Sequence, residues 1–578
     1  MSFFVADNKI PIQQTSIGIP STNGLSYNPG QLVELYVDPQ QVKFFNPKDS
    51  YLQFDVKVQM PNDTLGQATR LMLDSHIGAQ SLIREIRIHD GNNNALLEEI
   101  VGYNIATMVK YDYSANDSLR NKRALTEGAG VNKAPYGQCG TTRSYQNSAE
   151  NQYTFASSSP TTAQLTNASY QNCKVCLPLN TGIFSNDKVF PCMLTNGLRI
   201  SILLEDSVRC VRQMEGNSLN RKTTLNPFFH SSNGCLTNAN GSLSKGVNYT
   251  SFYVDNTNGY TDASNLPFVV GETIGFFTQT GASGYVPSFK PELAPIITGI
   301  AFDATFKRIK LTTTSFSLTA SLTTGVNGSH VLYSTSSERG APYNTTYRVS
   351  NVELYLQVVD MGAQYEADMM RRMKEGGTIN YDFLSLTNYR YSQLAGDIVA
   401  NIQLNIENRR IKSIICVPTD SSVYTNTQVL SASGTYEEEN AGDNNYLLFQ
   451  DRCGLVGISD NITSYQFLYA GRLQPSRLVD CKRTSSKSGV SQQALIELEK
   501  SLSSANITGQ SMLEFNNNFV IGRSLTAGGS GVYDGRNKQF ALQVNYQGTP
   551  PTKNKLWNCY SHHIRRLIIK GDSIMVEM

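Results

Sequence analysis

Two cysteines lie at a spacing that metal sites use. Cys173 and Cys176 form a CxxC unit, the only such pair among the ten cysteines of the chain. A zinc site usually needs a second pair, or two histidines at a set spacing, and neither follows in the sequence. The pair also lies in a β-like run, where residues three apart face opposite sides of a sheet. We therefore expect small side chains packed in a sheet here, and no metal site.

The histidines offer no clearer chemistry. His562 and His563 are adjacent, so in a regular strand they point to opposite faces and cannot easily bind one metal ion together. The other four, His76, His89, His230 and His330, have no recognisable partners in the sequence. Structural or surface roles are the expectation for all six.

Three further runs carry charge or conformational freedom. The Gly-rich stretch 527–536, AGGSGVYDGR, lacks the Gly-Lys-Ser/Thr ending and the following helix of a phosphate-binding loop, which favours a flexible loop. The acidic run 437–439 is interpreted as a solvated loop tip, with cation binding as the alternative. Arg565, Arg566 and Lys570 predict a solvated basic face, or contact with an acidic neighbour or an internal surface. No GxSxG or HExxH motif occurs, so we predict no catalytic residue, no cofactor and no enzymatic activity.

Composition and charge narrow the class of protein. Of the 578 residues only 17% are charged, below the roughly 25% of average soluble proteins, and the formal net charge is +2. Specific nucleic-acid binding is not expected, because proteins that wrap nucleic acid normally carry a strong basic excess. No apolar run is long enough for a transmembrane helix, and the N-terminus does not read as a signal peptide. We expect synthesis in the cytosol, with the cysteines reduced.

Alternating apolar residues predict strands in the first half of the chain. In 51–60, YLQFDVKVQM, the apolar side chains at every second position indicate a half-buried strand. The run 81–89 predicts another, and 95–111 a strand leading into a short helix. Leu198 to Leu204 alternates as a strand near a sheet centre would. From 213 to about 292 the chain is rich in Asn, Ser, Thr and Gly, which predicts a long surface excursion.

The second half begins after a helix. Tyr365, Met369 and Met373 recur every four residues, with acidic residues early, basic residues late and Gly376-Gly377 at the end. This order complements the helix dipole and predicts a helix that links the two halves. Later, Leu495, Leu498 and Leu502 predict an amphipathic helix capped by Ser491. The C-terminal segment predicts two strands around a turn at Gly571.

The most informative run is Asn461 to Asp480, NITSYQFLYAGRLQPSRLVD. Tyr465, Phe467 and Tyr469 alternate with smaller or polar residues, as in a strand with one aromatic face turned inward. Ala470-Gly471 predicts a bend, and Pro475 places the next segment in a loop or at a sheet edge. The string YQFLYAGRLQPSRLVD resembles a segment in the second half of double jelly-roll major capsid proteins, particularly those of virophages and polinton-like viruses.

Three other segments support this resemblance. They are LLEEIVGYN near residue 100, the LPLNTGIFSNDKVFP and LRISILLE pair at 177–205, and the closing QFALQVNYQG and CYSHHIRRLIIKGDSIMVEM runs. The resemblance, together with the strand count, implies an all-β fold of two tandem jelly-roll β-sandwiches with long loop insertions and a few short helices. The expected division is an extended N-terminal arm over 1–30, a first jelly roll over 31–361 with its insertion at about 213–292, a linking helix over 362–377, and a second jelly roll over 378–578.

The function that follows from the resemblance is structural. It implies the major capsid protein of a double-stranded DNA virus, located in the virion and made inside the host cell. Homotrimers would form pseudo-hexameric capsomers that tile an icosahedral shell. The implied partners are copies of the same chain, a penton protein and minor capsid or cement proteins, and an internal membrane is left open. Two alternatives remain at this point, a glycan-binding adhesin or lectin-like β-sandwich and a β-sandwich carbohydrate-active enzyme with paired carboxylates.

Overall fold

A computed structural model defines the architecture for the greater part of the chain. It describes residues 13–59, 69–74, 76–114, 122–123, 126–128, 173–215, 236–237, 242–254, 274–280, 284–287, 295–303, 308–318, 322–323, 330–334, 346–420, 455–459, 462–481, 492–507, 518–526, 531–546, 550–551, 554–571 and 573–577.

Strands dominate the described residues, and every pairing between them is antiparallel. In chain order they are β1 (Gln13–Pro20), β2 (Ser26–Tyr27), β3 (Leu32–Val37), β4 (Phe45–Gln59), β5 (Thr69–Met72), β6 (Ile83–Asp90), β7 (Leu96–Val101), β8 (Cys173–Pro178), β9 (Leu198–Leu204), β10 (Arg212–Glu215), β11 (Leu236–Thr237), β12 (Ser242–Leu243), β13 (Asn248–Val254), β14 (Ile274–Thr280), β15 (Gly284–Pro287), β16 (Ile297–Asp303), β17 (Arg308–Ser317), β18 (Leu322–Thr323), β19 (His330–Ser334), β20 (Thr346–Asp360), β21 (Thr378–Gln393), β22 (Val399–Leu404), β23 (Ile411–Asp420), β24 (Ile462–Tyr469), β25 (Arg472–Asp480), β26 (Ile521–Ser524), β27 (Phe540–Tyr546), β28 (Lys555–Lys570) and β29 (Ser573–Glu577).

Helices are few among the described residues. They are α1 (Tyr103–Ser114), α2 (Ser207–Cys210), α3 (Ala363–Lys374) and α4 (Gln492–Ser504), with short 3-10 turns at Ala79–Leu82 and Cys192–Thr195. None of these described helices is both long enough and apolar enough to cross a membrane.

The second sandwich shows the jelly-roll order directly. Its sheets run β21-β28-β23-β26 and β22-β27-β24-β25. Counted along the chain from β21 to β28, the strands are therefore ordered first-eighth-third-sixth in one sheet and second-seventh-fourth-fifth in the other. That interleaving of two four-stranded layers is the order produced when two Greek keys are wound together, which defines a jelly roll.

The first sandwich has the same order. Its eight main strands, in chain order, are β1, β3, β4, β6, β7, β8, β9 and β20. The sheets run β1-β20-β4-β8 and β3-β9-β6-β7, which is again first-eighth-third-sixth and second-seventh-fourth-fifth. The chain therefore folds as two tandem jelly rolls, as the sequence predicts.

Alternation of side chains explains why each pair of sheets closes on a core. Leu52, Phe54 and Val56 of β4 are buried, and they face Ile200 and Ile202 of β9 across one apolar cluster. The intervening residues of β4 are partly exposed. A strand with this period of two can bury only one face, so each sheet needs the other as its cover.

The described part of the expected N-terminal arm is a β-strand and not a free extended segment. Residues 13–20 form β1, which pairs along its full length with β20 at the edge of the first sandwich. The isolated apolar residues of this run, such as Ile19, are spaced two apart, which suits a strand on a sheet edge. They gave too weak a pattern to separate a strand from an extended arm. Residues 1–12 lie outside the described residues.

The insertion in the first sandwich is longer than the expected 213–292. β17 pairs with β13 on one side and with β16 on the other, so β16 and β17, at 297–317, belong to a small separate sheet and not to the two main sheets. The described strands of the connection between β9 and β20 therefore lie outside the jelly-roll sheets and form small sheets, one of which joins β10 to β5. Alternation of side chains predicts a strand but does not say which sheet the strand joins.

The linking helix forms as predicted. α3 begins after Gly362, carries Glu366 in its first turn and basic residues in its last turn, and is followed by Gly376 with φ 81°. Only its Met369 and Met373 side chains are buried, because one face packs on the first sandwich and the rest meets solvent.

Candidate functional site at the seam between the sandwiches

The two sandwiches meet along a built contact region, called the seam here. It is formed by β7, α1 and residues 180–188 of the first sandwich with β21 and β28 of the second. β7 is the edge strand of one sheet and β21 the edge strand of another, so two sheet edges that would otherwise be open approach each other. Covering a sheet edge removes a place where another chain could pair in the wrong register.

Apolar packing continues through the seam. Tyr381 and Phe383 of β21 belong to the core cluster of the first sandwich. In the other direction, Ile105, Met108 and Val109 of α1 belong to the core cluster of the second. Each core is therefore completed by side chains from the opposite half, which ties the orientation of the halves to their folding.

Glu98 is a buried charge at the centre of the seam. Its carboxylate accepts hydrogen bonds from the backbone N–H groups of Gly182 at 2.8 Å and Ile183 at 3.0 Å, and from Ser385 Oγ at 2.7 Å. Burial raises the pKa of Glu98, while these donors and the nearby Arg565 oppose the rise. One carboxylate thus links β7, the loop at 182 and β21, because a buried charge needs several donors at once.

A second polar link runs through a glycine in the left-handed region of backbone conformation. The Tyr560 hydroxyl donates to the Gly102 carbonyl at 2.7 Å, and Asn388 Nδ2 donates to the Val101 carbonyl at 2.9 Å. Gly102 has φ 71°, and a Cβ there would lie 2.7 Å from the Tyr560 oxygen. The absence of a side chain is what allows the first sandwich to approach this closely.

A third link runs from α1 to the segment before β26. Asn518 Nδ2 donates to Asp112 Oδ2 at 2.8 Å, and the Tyr113 hydroxyl donates to the Asn518 carbonyl at 2.7 Å. Asn518 Oδ1 also accepts from the Gly457 N–H at 2.8 Å, and Asp112 Oδ1 lies 2.7 Å from His76 Nδ1. Buried groups joined in this way fix one relative arrangement of the halves, since any shift leaves several of them unpaired.

The candidate metal-binding residues are not brought together. Cys176 is half-buried in β8, and its thiol lies 3.7 Å from Gln53 Oε1, while Cys173 pairs in register with Val56 at the start of the strand. Within the described ranges, no three His, Cys, Asp or Glu side chains lie close enough together to hold a metal ion.

The adjacent histidines are both buried. β28 is covered on both of its faces, so His562 and His563 are enclosed although they point in opposite directions. Burial, reinforced by nearby positive charges, lowers the pKa of each imidazole to about 4. Both rings are therefore neutral at pH 7, which fits a structural role.

Two of the three basic residues near the C-terminus, Arg565 and Arg566, lie near acidic side chains. This agrees with the second interpretation of the sequence, contact with an acidic neighbour or an internal surface. Arg565 is buried at the seam. Burial lowers its pKa, and the negative charge of Glu98 opposes that lowering. Arg566 donates to both carboxylate oxygens of Asp382, at 2.6 and 2.9 Å. Lys570, at the end of β28, is exposed. The predicted solvated face is wrong for the two arginines, because β21 with Asp382 and the seam with Glu98 lie against them.

Two of the loop predictions fall largely outside the described residues. The acidic run 437–439 lies outside them, as do residues 527–530 of the Gly-rich stretch. The described remainder of that stretch includes Tyr533, which exchanges hydrogen bonds with the Ile411 backbone.

The aromatic run is placed as predicted. Tyr465 and Phe467 are buried in β24, and Tyr469 stacks on Phe540 with ring centroids 5.4 Å apart. Ala470 and Gly471 both have positive φ and turn the chain into β25, which carries Pro475 at the edge of its sheet.

Sequence reasoning missed the polar residues of the seam. Glu98, Asn388 and Asn518 carry its links, yet each looks like an ordinary polar residue within a strand or loop. The only available signal was the LLEEIVGYN segment, which contains Glu98 and Gly102 and carried part of the resemblance.

Comparisons with known proteins give structures of related shape only. No protein family model matches the chain, and no curated protein matches its sequence. VP54 of PBCV-1, fitted into a reconstruction of the virophage Sputnik, has 9% identity and a TM-score of 0.45 over 100% of this chain and 98% of that one. The Faustovirus major capsid protein has 9% identity and a TM-score of 0.45 over 98% and 93%. The mavirus major capsid protein has 8% identity and a TM-score of 0.40 over 100% and 92%. At these values no conclusion about function is drawn from the likeness, and the double jelly-roll assignment rests on the strand order within this chain.

Proposed function

We propose that this protein is a structural major capsid protein of a double-stranded DNA virus, and that it works as a rigid two-lobed block in the virion shell. The observation that carries the proposal is the repeated strand order, two complete jelly rolls in one chain, held by a seam with buried polar links. A block of fixed shape is what a lattice needs, because errors in the angle between lobes would accumulate over many copies.

The proposed assembly unit is a homotrimer. Three chains with two similar lobes each give a ring of six lobes under closed three-fold symmetry, a shape that fills hexagonal positions. The net charge of +2 on 578 residues keeps repulsion between copies small. The further proposed partners are neighbouring capsomers, a penton protein and minor capsid or cement proteins. Neither catalysis nor nucleic-acid binding is part of the proposal.

The proposed domain division follows the sheets. The first jelly roll runs from residue 13 to 361 and includes the long insertion between β9 and β20. The linking helix occupies 362–377, and the second jelly roll runs from 378 to 578. The support for this division is that the described sheet pairings stay within one half or the other.

Exposed apolar side chains on the second sandwich support contact with other copies. Leu473 and Leu478 on the edge strand β25, and Ile496 on α4, are each about half exposed in the single chain. Burial of the remaining exposed half between subunits would contribute roughly 1 kcal/mol per side chain. We expect Leu473→Ser with Ile496→Ser to weaken assembly without unfolding the subunit.

The size of the assembled particle tests the proposal. Size-exclusion chromatography with light scattering on the full chain should show a trimer of the 63.8 kDa subunit, or larger assemblies. Negative-stain images should then show rings with six lobes. A chain that stays monomeric at high micromolar concentration and binds glycans on an array would support the lectin-like alternative and overturn the proposal.

A further inference from the structure

The seam borders a half-open cavity that the packing of the two sandwiches does not fill. It has a volume of about 470 Å³, within the usual range of small-molecule sites. One wall comes from α1 and residues 180–187 of the first sandwich. The other comes from β21, β28 and the residues just after α4 in the second. A molecule bound there would contact both halves of the chain.

Two lysines from opposite walls line this cavity. Lys110 Nζ donates to the amide oxygen of Asn180 at 2.9 Å, and its burial, with the charge of Arg123, lowers its pKa to about 8. The charge of Glu127 partly offsets this lowering of the Lys110 pKa, and Glu127 also accepts a hydrogen bond from Tyr111 and faces Arg123. Lys412, on the second sandwich, is half-buried and forms no ion pair among the residues the structure describes.

The carboxylates that line the cavity are already paired with other cations. Asp382 receives two hydrogen bonds from Arg566, and Asp187 lies 2.5 Å from Lys48 Nζ. Neither Arg566 nor Lys48 belongs to the cavity wall. The positive charge of the two lining lysines is therefore not matched by a free carboxylate, which makes the described wall favourable for an anion.

A buried imidazole lies on the same wall and adds no negative charge to it. His562 lines the cavity and is 8% exposed, and its Nδ1 atom is closed to solvent, so a molecule in the cavity does not reach that atom. The ring is neutral at pH 7, because burial lowers its pKa to about 4. The two lysines are therefore the groups of this wall that can hold an anion.

We propose that the seam cavity binds a small oxyanion of the phosphate or carboxylate class, held by Lys110 and Lys412 from opposite walls. The inference stands apart from the capsid proposal, because it depends only on the cavity and its lining. The bound anion joins the two sandwiches by charge, and by linkage it stabilises the folded chain as its concentration rises above its Kd.

Inorganic phosphate is the first probe, and citrate, at equal ionic strength, distinguishes phosphate from carboxylate recognition. Isothermal titration calorimetry should show one saturable site on the full chain, and thermal unfolding should show a rise in Tm that saturates with it. Lys412→Met should weaken binding at least tenfold. Lys570→Met is the matched control, because this exposed lysine lies on β28 away from the cavity wall and should bind as the native chain does.

Lys110→Met tests the opposite wall independently of Lys412→Met. Because Lys110 is buried, its variant is first checked by circular dichroism, and if it does not fold, the Lys412→Met result decides. Heat of binding that grows linearly with phosphate, or that is equal in Lys412→Met and Lys570→Met, would overturn the inference, as would the absence of any binding. Chain size from light scattering is measured on the same samples, so failure of this site is distinguishable from failure to assemble.

Discussion

The two sandwiches share one strand order but differ in what their connections do. In the second, β27 and β28 are joined by residues 547–554. In the first, the equivalent connection from β9 to β20 spans residues 205–345 and contains small sheets of its own. The same pair of sheets can thus carry a short loop or a large insertion, since loop closure becomes only slowly more costly with length.

The helices between the fifth and sixth strands differ in a more instructive way. α4 packs on its own sandwich, against β23 and β26. α1, in the equivalent connection of the first sandwich, sends Ile105, Met108 and Val109 into the core of the second. Of the two helices, α1 therefore crosses the seam, whereas α4 packs on its own sandwich. A repeated fold becomes an asymmetric block through its connections and not through its sheets.

The largest expected effect tests whether the sandwiches unfold together. Leu354→Ala, in the core of the first sandwich, should reduce the free energy of unfolding by about 2–5 kcal/mol through the lost contacts and the cavity left behind. The single tryptophan, Trp557, is buried in the second sandwich. The cores share side chains across the seam. We therefore expect Leu354→Ala also to lower the urea concentration at which Trp557 fluorescence shows half of the chains unfolded.

Thiol accessibility gives the matching probe of the first sandwich. Cys192 is buried in its core, so its labelling rate, read by mass spectrometry, reports that half separately. Leu25→Ala, at a residue 85% exposed, should leave both probes unchanged. An unchanged Trp557 midpoint alongside faster Cys192 labelling in Leu354→Ala would mean that the halves unfold independently.

Gly182→Ala should destabilise the contact between the sandwiches at the seam. An added Cβ would lie 2.4 Å from the Leu384 carbonyl oxygen of the second sandwich, and backbone cannot move as a side chain can. We expect a loss of about 2–3 kcal/mol in urea unfolding, typical of overpacking. Gly299→Ala is the control, since its Cβ would meet Thr312 at an ordinary 3.6 Å and should cost little.

The two halves should respond to acid in opposite directions. The pKa values of His562 and His563 are lowered to about 4, so their contribution to stability is lost as pH falls from about 6.5 towards 4. At pH 5 this is about 2 kcal/mol for each ring relative to pH 7. Burial raises the pKa of Glu127, in the first sandwich, to about 7. Its protonation between pH 7 and pH 5 therefore increases the free energy of unfolding by about 2 kcal/mol. The expected net loss is about 2 kcal/mol.

Variants can separate these opposing contributions. The double variant His562→Gln, His563→Gln should reverse the trend and be more stable at pH 5 than at pH 7, because the raised pKa values of the buried carboxyls Glu127 and Glu98 then dominate. Glu127→Gln should steepen the loss to about 4 kcal/mol. Urea unfolding at both pH values, followed by Trp557 fluorescence, measures all three chains. Parallel pH profiles in the native and double-variant chains would contradict the assignment to these histidines.

The smallest effect concerns the pair that joins β21 to β28 within the second sandwich. Arg566 and Asp382 make two hydrogen bonds, but both side chains are about one-third exposed. Solvent screening should therefore limit their coupling to about 1 kcal/mol or less. A double-mutant cycle with Asp382→Asn and Arg566→Gln measures that coupling. A value above 2 kcal/mol would show that this pair belongs energetically to the buried seam.

Much of the fold was readable from local pattern. The alternation in β4, β9 and β24 predicted strands, the charge order around Met369 predicted α3, and Pro475 predicted a loop or a sheet edge. The candidate site was not readable, because Glu98 and Ser385 are 287 residues apart in sequence, and Asp112 and Asn518 are 406 apart. A polar residue in a strand looks the same in sequence whether it faces water or a partner from the other half.

Side-chain periodicity and turn chemistry act over a few residues, so the amino-acid sequence by itself determined which segments are strands, where α3 begins and ends, and how β24 turns into β25. Sheet membership, the limits of the insertion and the burial of Arg565, His562 and His563 were decided only by tertiary structure. These depend on which surface covers each strand, and residues of β28 are buried at the seam because the first sandwich lies against the second. The physical reason is that burial is a property of pairs of surfaces, whereas alternation is a property of one.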